Sequence, residues 1–411
     1  MRVLILHIVF LAFFVGSCST SQLAESEINR GKKLNSVKAY FYDSSGLKVL
    51  DSETNTTNSL IEFTHMLVQR KISSDNSKIA INYFENDSSK LVVLDTSTEQ
   101  IWEIESKPDQ YVFTFEWSPR SDSLAVGYFT EKKSGDRYVA GEGGILISSF
   151  KGIKREVGCS VSKSVDAWLP DGRLAVSSGL GSENLYIVNK VNCNTIQTIN
   201  KEDKRAIIFS PDGNKILFTR FEEVHNRSSG TTQKLPELFI LDVESGKETK
   251  IAGYQHEPRN ASWSPGGDKI AFDIQSDEWS NVHHISIYDL EKGEAQFIVD
   301  RDGFYGVAND QNPHWDKTGS RLLINRSYES TSGLITNQKV IRNLSNGEEL
   351  KLVEKINDPN NYNDIRIGTP LDWFEEDLIA FSGSGYKVFN TSGDEILSLS
   401  NYQNLLFAVS K

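Results

Sequence analysis

One short phrase recurs about every fifty residues along this chain and constrains its fold more than any other feature. Each copy has an aromatic residue, a turn of the Ser-Pro-Asp-Gly type and then a small run of aliphatic residues. The copies begin at Trp117, Trp168, Phe209, Trp263, Trp315 and Trp373. A repeat of this length with four short strands per copy is typical of a propeller blade. The sequence therefore predicts a single closed ring of blades.

The residues inside a repeat support this prediction through their turn chemistry. Proline fixes the backbone angle φ at the start of the turn, and Asp and Gly accept the conformations that reverse the chain. The aliphatic run that follows, such as Ile270-Ala271-Phe272, begins the second strand of a tight hairpin. Two further strands complete each copy, and no segment has the period of a long amphipathic helix. The predicted fold is all-β, with four antiparallel strands, a to d, in each blade.

The blade count follows from the strands near the two ends of the chain. Seven copies carry their own strand a, and the first of them is aligned at Ile72. Before it, Lys38 to Tyr42, Leu47 to Asp51 and Leu60 to Phe63 match strands b, c and d of a blade that lacks strand a. Leu405 to Val409 form one leftover strand at the other end. Pairing of the two ends would remove an exposed sheet edge, so we expect eight blades, with seven as the alternative.

The phrase from Trp263 to Phe272, with its copies, resembles the repeat of TolB-like propellers. Related repeats occur in the propeller domains of prolyl-oligopeptidase-type enzymes and in oligogalacturonate lyases. The resemblance covers about nine tenths of the chain. It implies the fold more than the function, because the matching residues are turns and blade core. The chain leaves no room for the α/β domain that precedes the propeller of TolB, and it has no Gly-x-Ser-x-Gly motif of a hydrolase domain.

The amino terminus predicts where the protein is located. Arg2 precedes an apolar stretch of thirteen residues, Val3 to Val15, which is too short to span a bilayer, so residues 1–17 are predicted to be a signal peptide. Val15 to Cys18 resembles the bacterial lipobox, which implies that Cys18 carries a lipid anchor. Residues 18–35 are then the anchor and a flexible tether, and residues 36–411 are the propeller. By the sorting rule of enteric bacteria, Ser19 implies the outer membrane, facing the periplasm; the inner membrane is the alternative.

The net charge of the chain narrows the classes of partner that it can bind. The net charge of −12 disfavours nucleic acid and anionic lipid surfaces as partners.

The cysteine content raises the question of a disulfide. With Cys18 lipidated, Cys159 and Cys193 remain, and an oxidising compartment favours a disulfide between them. The strand assignment, however, places these two cysteines on opposite faces of the disc, too far apart for a bridge. Whether they pair stays open at this point.

Long connections identify the face on which function is expected. In a propeller the d-to-a and b-to-c connections emerge on one face, here called the loop face, and the tight a-to-b and c-to-d turns lie on the other, the turn face. The long segments of this chain all fall on the loop face, so we expect a partner to bind there. Aromatic and acidic residues of these segments are predicted to form an acidic, aromatic-edged binding site: Trp279, Asp300, Asp302, Tyr305, Asp310, Tyr362 and Asp364.

Histidines on the same face raise the alternative of a metal site. His256, His283, His284 and His314 come from two repeats and their connections, and the oligogalacturonate lyases that the repeat resembles have a His-rich manganese site. The pattern of those lyases is not reproduced around these residues, so ordinary hydrogen-bonded histidines are the simpler interpretation. We predict no metal, no cofactor and no catalytic residue.

Two classes of function remain. The favoured one is a monomeric, membrane-anchored bacterial lipoprotein whose propeller binds an envelope or periplasmic protein or peptide without catalysing a reaction. The alternative is a carbohydrate-active or metal-dependent lyase or hydrolase with its site on the loop face. A convergent acid and base, or three metal ligands, would favour the enzyme. The sequence shows neither, and it names no partner.

The lipobox leads to a direct prediction. Cys18→Ser should abolish lipid attachment, because the Cys18 thiol receives the diacylglyceryl group in this motif. A version that begins near Ser36 behind a cleavable, non-lipoprotein signal should be recovered free of the membrane fraction. Metabolic labelling with a fatty acid measures the attachment. Equal label on Cys18→Ser and on the unchanged protein would show that the chain is not a lipoprotein.

Overall fold

The computed structural model describes residues 37–62, 67–85, 88–104, 110–134, 137–149, 154–157, 164–178, 183–226, 231–253, 258–275, 282–298, 309–329, 335–357, 370–375, 378–383, 385–399 and 404–410. Within these residues the chain forms eight four-stranded antiparallel sheets and no helix. The sheets follow one another along the chain as the blades of a propeller. The predicted signal peptide, Cys18 and the tether lie outside the described residues and stay predictions.

The first four blades are built as follows. Blade 1 contains β1 (Val37–Asp43), β2 (Gly46–Asp51), β3 (Thr56–Glu62) and β32 (Asn404–Ser410). Blade 2 contains β4 (Leu67–Ile72), β5 (Lys78–Glu85), β6 (Ser88–Asp95) and β7 (Ile101–Ile104). Blade 3 contains β8 (Gln110–Trp117), β9 (Ser123–Ser134), β10 (Arg137–Ser149) and β11 (Lys154–Val157). Blade 4 contains β12 (Ser164–Trp168), β13 (Leu174–Ser177), β14 (Asn184–Val188) and β15 (Thr195–Asn200).

The other four blades repeat this order. Blade 5 contains β16 (Arg205–Phe209), β17 (Lys215–Asn226), β18 (Thr231–Asp242) and β19 (Glu248–Ala252). Blade 6 contains β20 (Pro258–Trp263), β21 (Lys269–Gln275), β22 (His283–Asp289) and β23 (Glu294–Phe297). Blade 7 contains β24 (Asn309–Trp315), β25 (Arg321–Glu329), β26 (Ile335–Asn343) and β27 (Glu349–Asn357). Blade 8 contains β28 (Pro370–Glu375), β29 (Leu378–Gly383), β30 (Gly385–Asn390) and β31 (Glu395–Leu399).

The ring is closed by a strand from the far end of the chain. In blade 1 the strand order is β3-β2-β1-β32, so β32 is strand a of the blade that otherwise lacks one. The pairing is antiparallel, with Lys38 opposite Val409 and Ala39 opposite Ala408, and a bulge follows Tyr40. Side chains of blades 1, 2 and 8 share one buried apolar cluster at this closure. The predictions of an all-β propeller, of eight blades and of closure by the terminal strands are confirmed.

The core is built mainly from strand b of each blade. The aliphatic run that follows every turn is almost fully buried, because it packs against strand b of the blades on either side. Seven of these runs begin at Ile79, Leu124, Leu174, Ile216, Ile270, Leu322 and Leu378. The same stretch of sequence therefore forms the blade and joins it to its neighbours.

The turn between strands a and b is held by a serine and stacked on the next turn. In blade 5 the backbone N–H of Lys215 donates to the Ser210 hydroxyl at 2.9 Å, and the Ser264 hydroxyl accepts in the same way in blade 6. Gly213 has a φ of 72°, the left-handed region that glycine enters without strain. A Cβ on Gly213 would lie 3.1 Å from the Pro170 ring of blade 4, so the turns of neighbouring blades touch.

The third and fourth strands differ more between blades. The b-to-c hairpins of blades 3, 5 and 7 are the longest, and β17 and β18 pair continuously from Lys215–Asp242 to Asn226–Thr231.

Cys193, in the c-to-d turn of blade 4, is disulfide-bonded. The two other cysteines of the chain, Cys18 and Cys159, lie outside the described residues. No described segment forms a helix long and apolar enough to cross a membrane.

Closure by β32 predicts a strong dependence of stability on the last residues. Removal of Asn404 to Lys411 should lower the free energy of unfolding by several kcal/mol, since each buried aliphatic side chain contributes about 1.5 to 3 kcal/mol. A milder variant, Leu405→Ala, should cost about 2 to 5 kcal/mol because this side chain is only 2% exposed. Leu350→Ala, at a position that is 37% exposed, is the control. Urea denaturation measures all three, and an unchanged midpoint for the deletion would contradict closure.

Candidate functional site

Strand a of each blade borders the central channel, and a cavity opens at one end of it. This cavity has a volume of 850 Å³ and is lined by the ends of β4, β8, β12 and β16 together with the turns that follow them. Those turns belong to the a-to-b connections, so the cavity opens on the turn face. We call it the mouth cavity. A second cavity of 430 Å³, the lumen cavity, is lined by residues one to three positions earlier on β4, β8 and β12, so it lies deeper in the channel.

The wall of the mouth cavity is made by the repeat itself. Trp117 and Trp168 end their inner strands at this surface, and one proline from each of three consecutive turns completes the wall: Pro119, Pro170 and Pro211. The prolines are exposed, whereas Trp117 is only 8% exposed. The residues that the sequence assigns to blade structure therefore also form an apolar, proline-edged surface.

The indole groups at the ends of strand a join neighbouring blades. Trp117 Nε1 donates to the Lys71 carbonyl at 3.0 Å, Trp263 Nε1 to the Ile208 carbonyl at 3.2 Å, and Trp315 Nε1 to the Ser262 carbonyl at 3.2 Å. Each acceptor is the residue just before the aligned aromatic position of the preceding blade. This hydrogen bond, here called the indole latch, links blades 2 and 3, blades 5 and 6, and blades 6 and 7.

Trp168 occupies the same position in blade 4 but does not make the latch. Its Nε1 atom is buried and finds no acceptor among the described residues. The Lys190 ammonium group lies 5.7 Å from the centre of the Trp168 ring. A buried N–H without an acceptor costs about 1 to 3 kcal/mol. Trp168, which does not make the latch, therefore lies in the wall of the mouth cavity.

Charged side chains lie where the two cavities meet. Lys71 on β4 forms an ion pair with Glu116 on β8, and both residues line both cavities. Burial raises the pKa of the Glu116 carboxyl; the ion pair with Lys71 opposes this rise, and the negative charge of Asp166 adds to it. Arg70 lies beside them, and its Nη1 donates to the Leu405 carbonyl of blade 1 at 3.1 Å. The channel wall thus combines two cations and two carboxylates.

Asp166 is brought into the lumen cavity by a bulge in β12. Val165 pairs with Val176 and Ala167 pairs with Ala175, so Asp166 has no residue opposite it on β13. Its side chain is reached by water through the channel. Burial by the channel walls raises the pKa of Asp166, although the Ser177 hydroxyl, Lys201 and Lys71 oppose the rise. A bulge of this kind is a common way to direct one side chain out of a sheet.

Comparison with known proteins adds information about the fold. No protein-family model matches the sequence, and no curated protein matches it. A solved eukaryotic initiation factor is 11% identical with a TM-score of 0.55, over 92% of this chain and 98% of that one. An oligogalacturonate lyase in complex with manganese is 11% identical with a TM-score of 0.43, over 90% of this chain and 85% of that one. TolB from Acinetobacter baumannii is 14% identical with a TM-score of 0.38, over 90% of this chain and 81% of that one.

The similarity to the initiation factor shows a shared fold and assigns no activity to this chain. TolB is among the matching structures, as the resemblance of the repeats predicts.

The structure places one of the seven predicted partner-binding residues. Asp310 is fully buried, and its two carboxylate oxygens accept from Arg326 at 2.7 and 3.0 Å. Arg326 also binds Glu349, so Asp310 belongs to an ion network inside blade 7 and not to an exposed mouth. The other six lie outside the described residues and stay predictions: Trp279, Asp300, Asp302, Tyr305, Tyr362 and Asp364.

The histidines do not form a metal site within the described part of the chain. His283 is 5% exposed, its backbone N–H donates to Asn309 at 2.9 Å, and its Nδ1 lies 3.4 Å from Gln311 Nε2. No group of three His, Cys, Asp or Glu residues able to hold a metal occurs among the described residues. His256 lies outside them.

Sequence reasoning missed the charged residues of the channel. Alignment of the repeats gives the one sequence signal for them. The position just before the aligned aromatic position is charged in blades 2 and 3 (Lys71 and Glu116) but apolar in blades 4 and 5 (Ala167 and Ile208).

Sequence reasoning also missed a group of partly exposed rings at the loop-face end of blades 2 and 3. The Tyr111 and Phe129 rings stack at 5.7 Å, with Phe113 and Phe84 close by.

The indole latch predicts different effects for the same substitution in two blades. Trp263→Phe removes the indole donor to the Ile208 carbonyl, whereas Trp168→Phe removes a donor that has no acceptor among the described residues. Trp263→Phe should therefore lower the free energy of unfolding by about 1 to 3 kcal/mol more than Trp168→Phe does. Urea denaturation of the two variants measures the difference. Equal losses would contradict a role for the latch in stability.

Proposed function

We propose that the protein is a bacterial envelope lipoprotein whose propeller binds a protein or peptide partner and does not catalyse a reaction. Cys18 anchors it, and Ser19 favours the outer membrane, facing the periplasm. The observation that supports a binding role most directly is the mouth cavity, an 850 Å³ opening at the end of the channel. Ligand sites in proteins usually occupy about 300 to 1,000 Å³.

The chemistry of the cavity wall supports a peptide as the ligand. The exposed prolines and the half-buried Trp168 ring offer apolar contact area, which is the usual source of binding energy at protein interfaces. The buried Trp168 N–H lacks an acceptor among the described residues, and a peptide carbonyl could supply one if the ring shifts. An extended segment that enters the mouth would place its side chains toward the charged channel wall at Lys71 and Glu116. This surface lies opposite the loop face, where the long connections predict partner binding.

A second candidate function is a carbohydrate-active enzyme. One observation favours it: Glu116 and Asp166 line the same lumen cavity, and burial raises the pKa of both carboxyls. Two carboxyl groups in one cavity are the usual machinery for cleavage of a glycosidic bond. Lys71 is ion-paired with Glu116, which occupies this carboxylate and disfavours its use as a general acid. Turnover of oligogalacturonate that Glu116→Gln abolishes would favour the enzyme over the binding scaffold.

The binding role is tested by capture of a partner with variants of each face. The mature protein is cross-linked in its native envelope, purified, and its cross-linked partners are identified by mass spectrometry. The double variant Pro119→Arg with Pro170→Arg should reduce capture of the main partner at least tenfold, because two long charged side chains would obstruct the mouth. Pro265→Arg makes the same change in the turn of blade 6, outside the cavity lining, and should leave capture intact.

Variants of the predicted loop-face residues test the alternative location of the binding site. Trp279→Ala with Tyr305→Ala tests the loop face, and melting curves confirm that each variant is folded. Loss of capture through this pair, with normal capture by the proline variants, would move the binding site to the loop face. Absence of any partner that depends on either face would contradict the scaffold proposal.

A further inference from the structure

Asp166 lines the lumen cavity and forms no ion pair among the described residues, which suggests what kind of ligand group enters the channel. We propose that Asp166 receives the ammonium or guanidinium group of a Lys or Arg side chain from the bound peptide. The proposal rests on the proposed function, because it names the ligand chemistry of the same channel. It also makes Asp166 a specificity-determining residue that the repeat pattern does not reveal.

The two carboxylates of the cavity differ in their partners. Glu116 is neutralised by Lys71 within an ion pair, and its side chain is 21% exposed. Asp166 makes no ion pair among the described residues; the Ser177 hydroxyl is its hydrogen-bond partner, and Lys71 and Lys201 act on it only through space. The channel walls around Asp166 disfavour its charged form. A cationic side chain from a ligand would favour that form, and it can reach Asp166 because this side chain is exposed to the channel.

None of the described charged side chains around Asp166 forms an ion pair with it, so a cation from a ligand can do so. On β4, Lys71 is engaged by Glu116, and Arg70 donates to the Leu405 carbonyl on the blade 1 side. On β8 the facing charge is Glu116, which is negative and therefore also attracts a cation. Lys201, beyond the end of blade 4, is the remaining positive group. None of these cations is bonded to Asp166 in the described structure.

The shape of the channel fits a long basic side chain. The lumen cavity is lined by β4, β8 and β12, where Thr114 and Ser164 contribute hydroxyl groups; the side chains of Phe115 and Val165 are buried within the blades. The long stems of Lys and Arg let the charged end reach a polar group at a distance from the backbone. A backbone held at the mouth cavity would let such a side chain extend down the channel to Asp166. A short polar side chain such as Gln would reach less far and bring no charge.

The test uses two fluorescein-labelled, capped hexapeptides as probes, one of alternating Ala and Lys and one of alternating Ala and Gln. Fluorescence anisotropy at low ionic strength measures both dissociation constants. The unchanged protein should bind the Lys peptide at least tenfold more tightly than the Gln peptide. Asp166→Asn, which keeps the side-chain shape, should remove this preference. Asp171→Asn is the matched control, because Asp171 lies in the nearby turn, paired with Arg173 and outside both cavities.

Two further measurements distinguish a specific site from general attraction to an acidic protein. Lys71→Met should tighten binding of the Lys peptide several-fold, because it removes a positive charge and releases Glu116. Affinity for the Lys peptide should fall as pH drops through the raised pKa of Asp166, since the neutral acid no longer attracts a cation. Asp166→Asn should lack this component of the pH dependence.

The outcomes separate this inference from the proposed function. Equal binding of the two peptides to the unchanged protein, or an unchanged preference in Asp166→Asn, would overturn the role of Asp166. If Asp166→Asn still captures the native partner normally, the scaffold proposal survives and the cationic ligand group does not. Failure of capture by every form of the protein would instead contradict the scaffold itself.

Discussion

The contact between the ends of neighbouring inner strands is the interaction on which the rest of the structure depends. At this point one blade presents an aromatic ring and a turn glycine, and the preceding blade presents a carbonyl and a turn proline. The Trp263 indole reaches the Ile208 carbonyl, and Gly267 lies over Pro211. Because the same residues recur in successive blades, one type of contact sets the spacing of much of the ring. It also brings the aromatic and proline residues to the channel, so the mouth cavity follows from the way the blades are joined.

The fold was largely predictable because its determinants are local. A turn such as Ser210 to Gly213 and the aliphatic run after it specify a hairpin within about ten residues, and their repetition reveals the architecture. Closure was predictable for a different reason: a leftover strand at one end matched a missing strand at the other. Neither inference needed contacts between distant side chains.

The candidate site was much harder to predict, since its properties arise between blades. Glu116 acquires its ion pair from Lys71, which lies 45 residues earlier on another blade. Asp166 faces the channel only because β12 has a bulge at that residue. Asp310 resembles a surface carboxylate in sequence, but Arg326 of the next strand binds it in the interior. Burial, pairing and strand register decide these roles, and a single sequence does not record them.

Closure by β32 has a consequence for the order of events during synthesis. Strands β1, β2 and β3 of blade 1 leave the ribosome about 360 residues before β32, the inner strand of the same blade. During that interval β1 has an open edge, which is the feature that invites mispairing with other chains. Joining the two ends also requires the largest loop closure in the molecule, a step that slows folding. A product of premature termination would keep that edge permanently open, so chaperones and proteases could distinguish an unfinished chain from a finished one by this single strand.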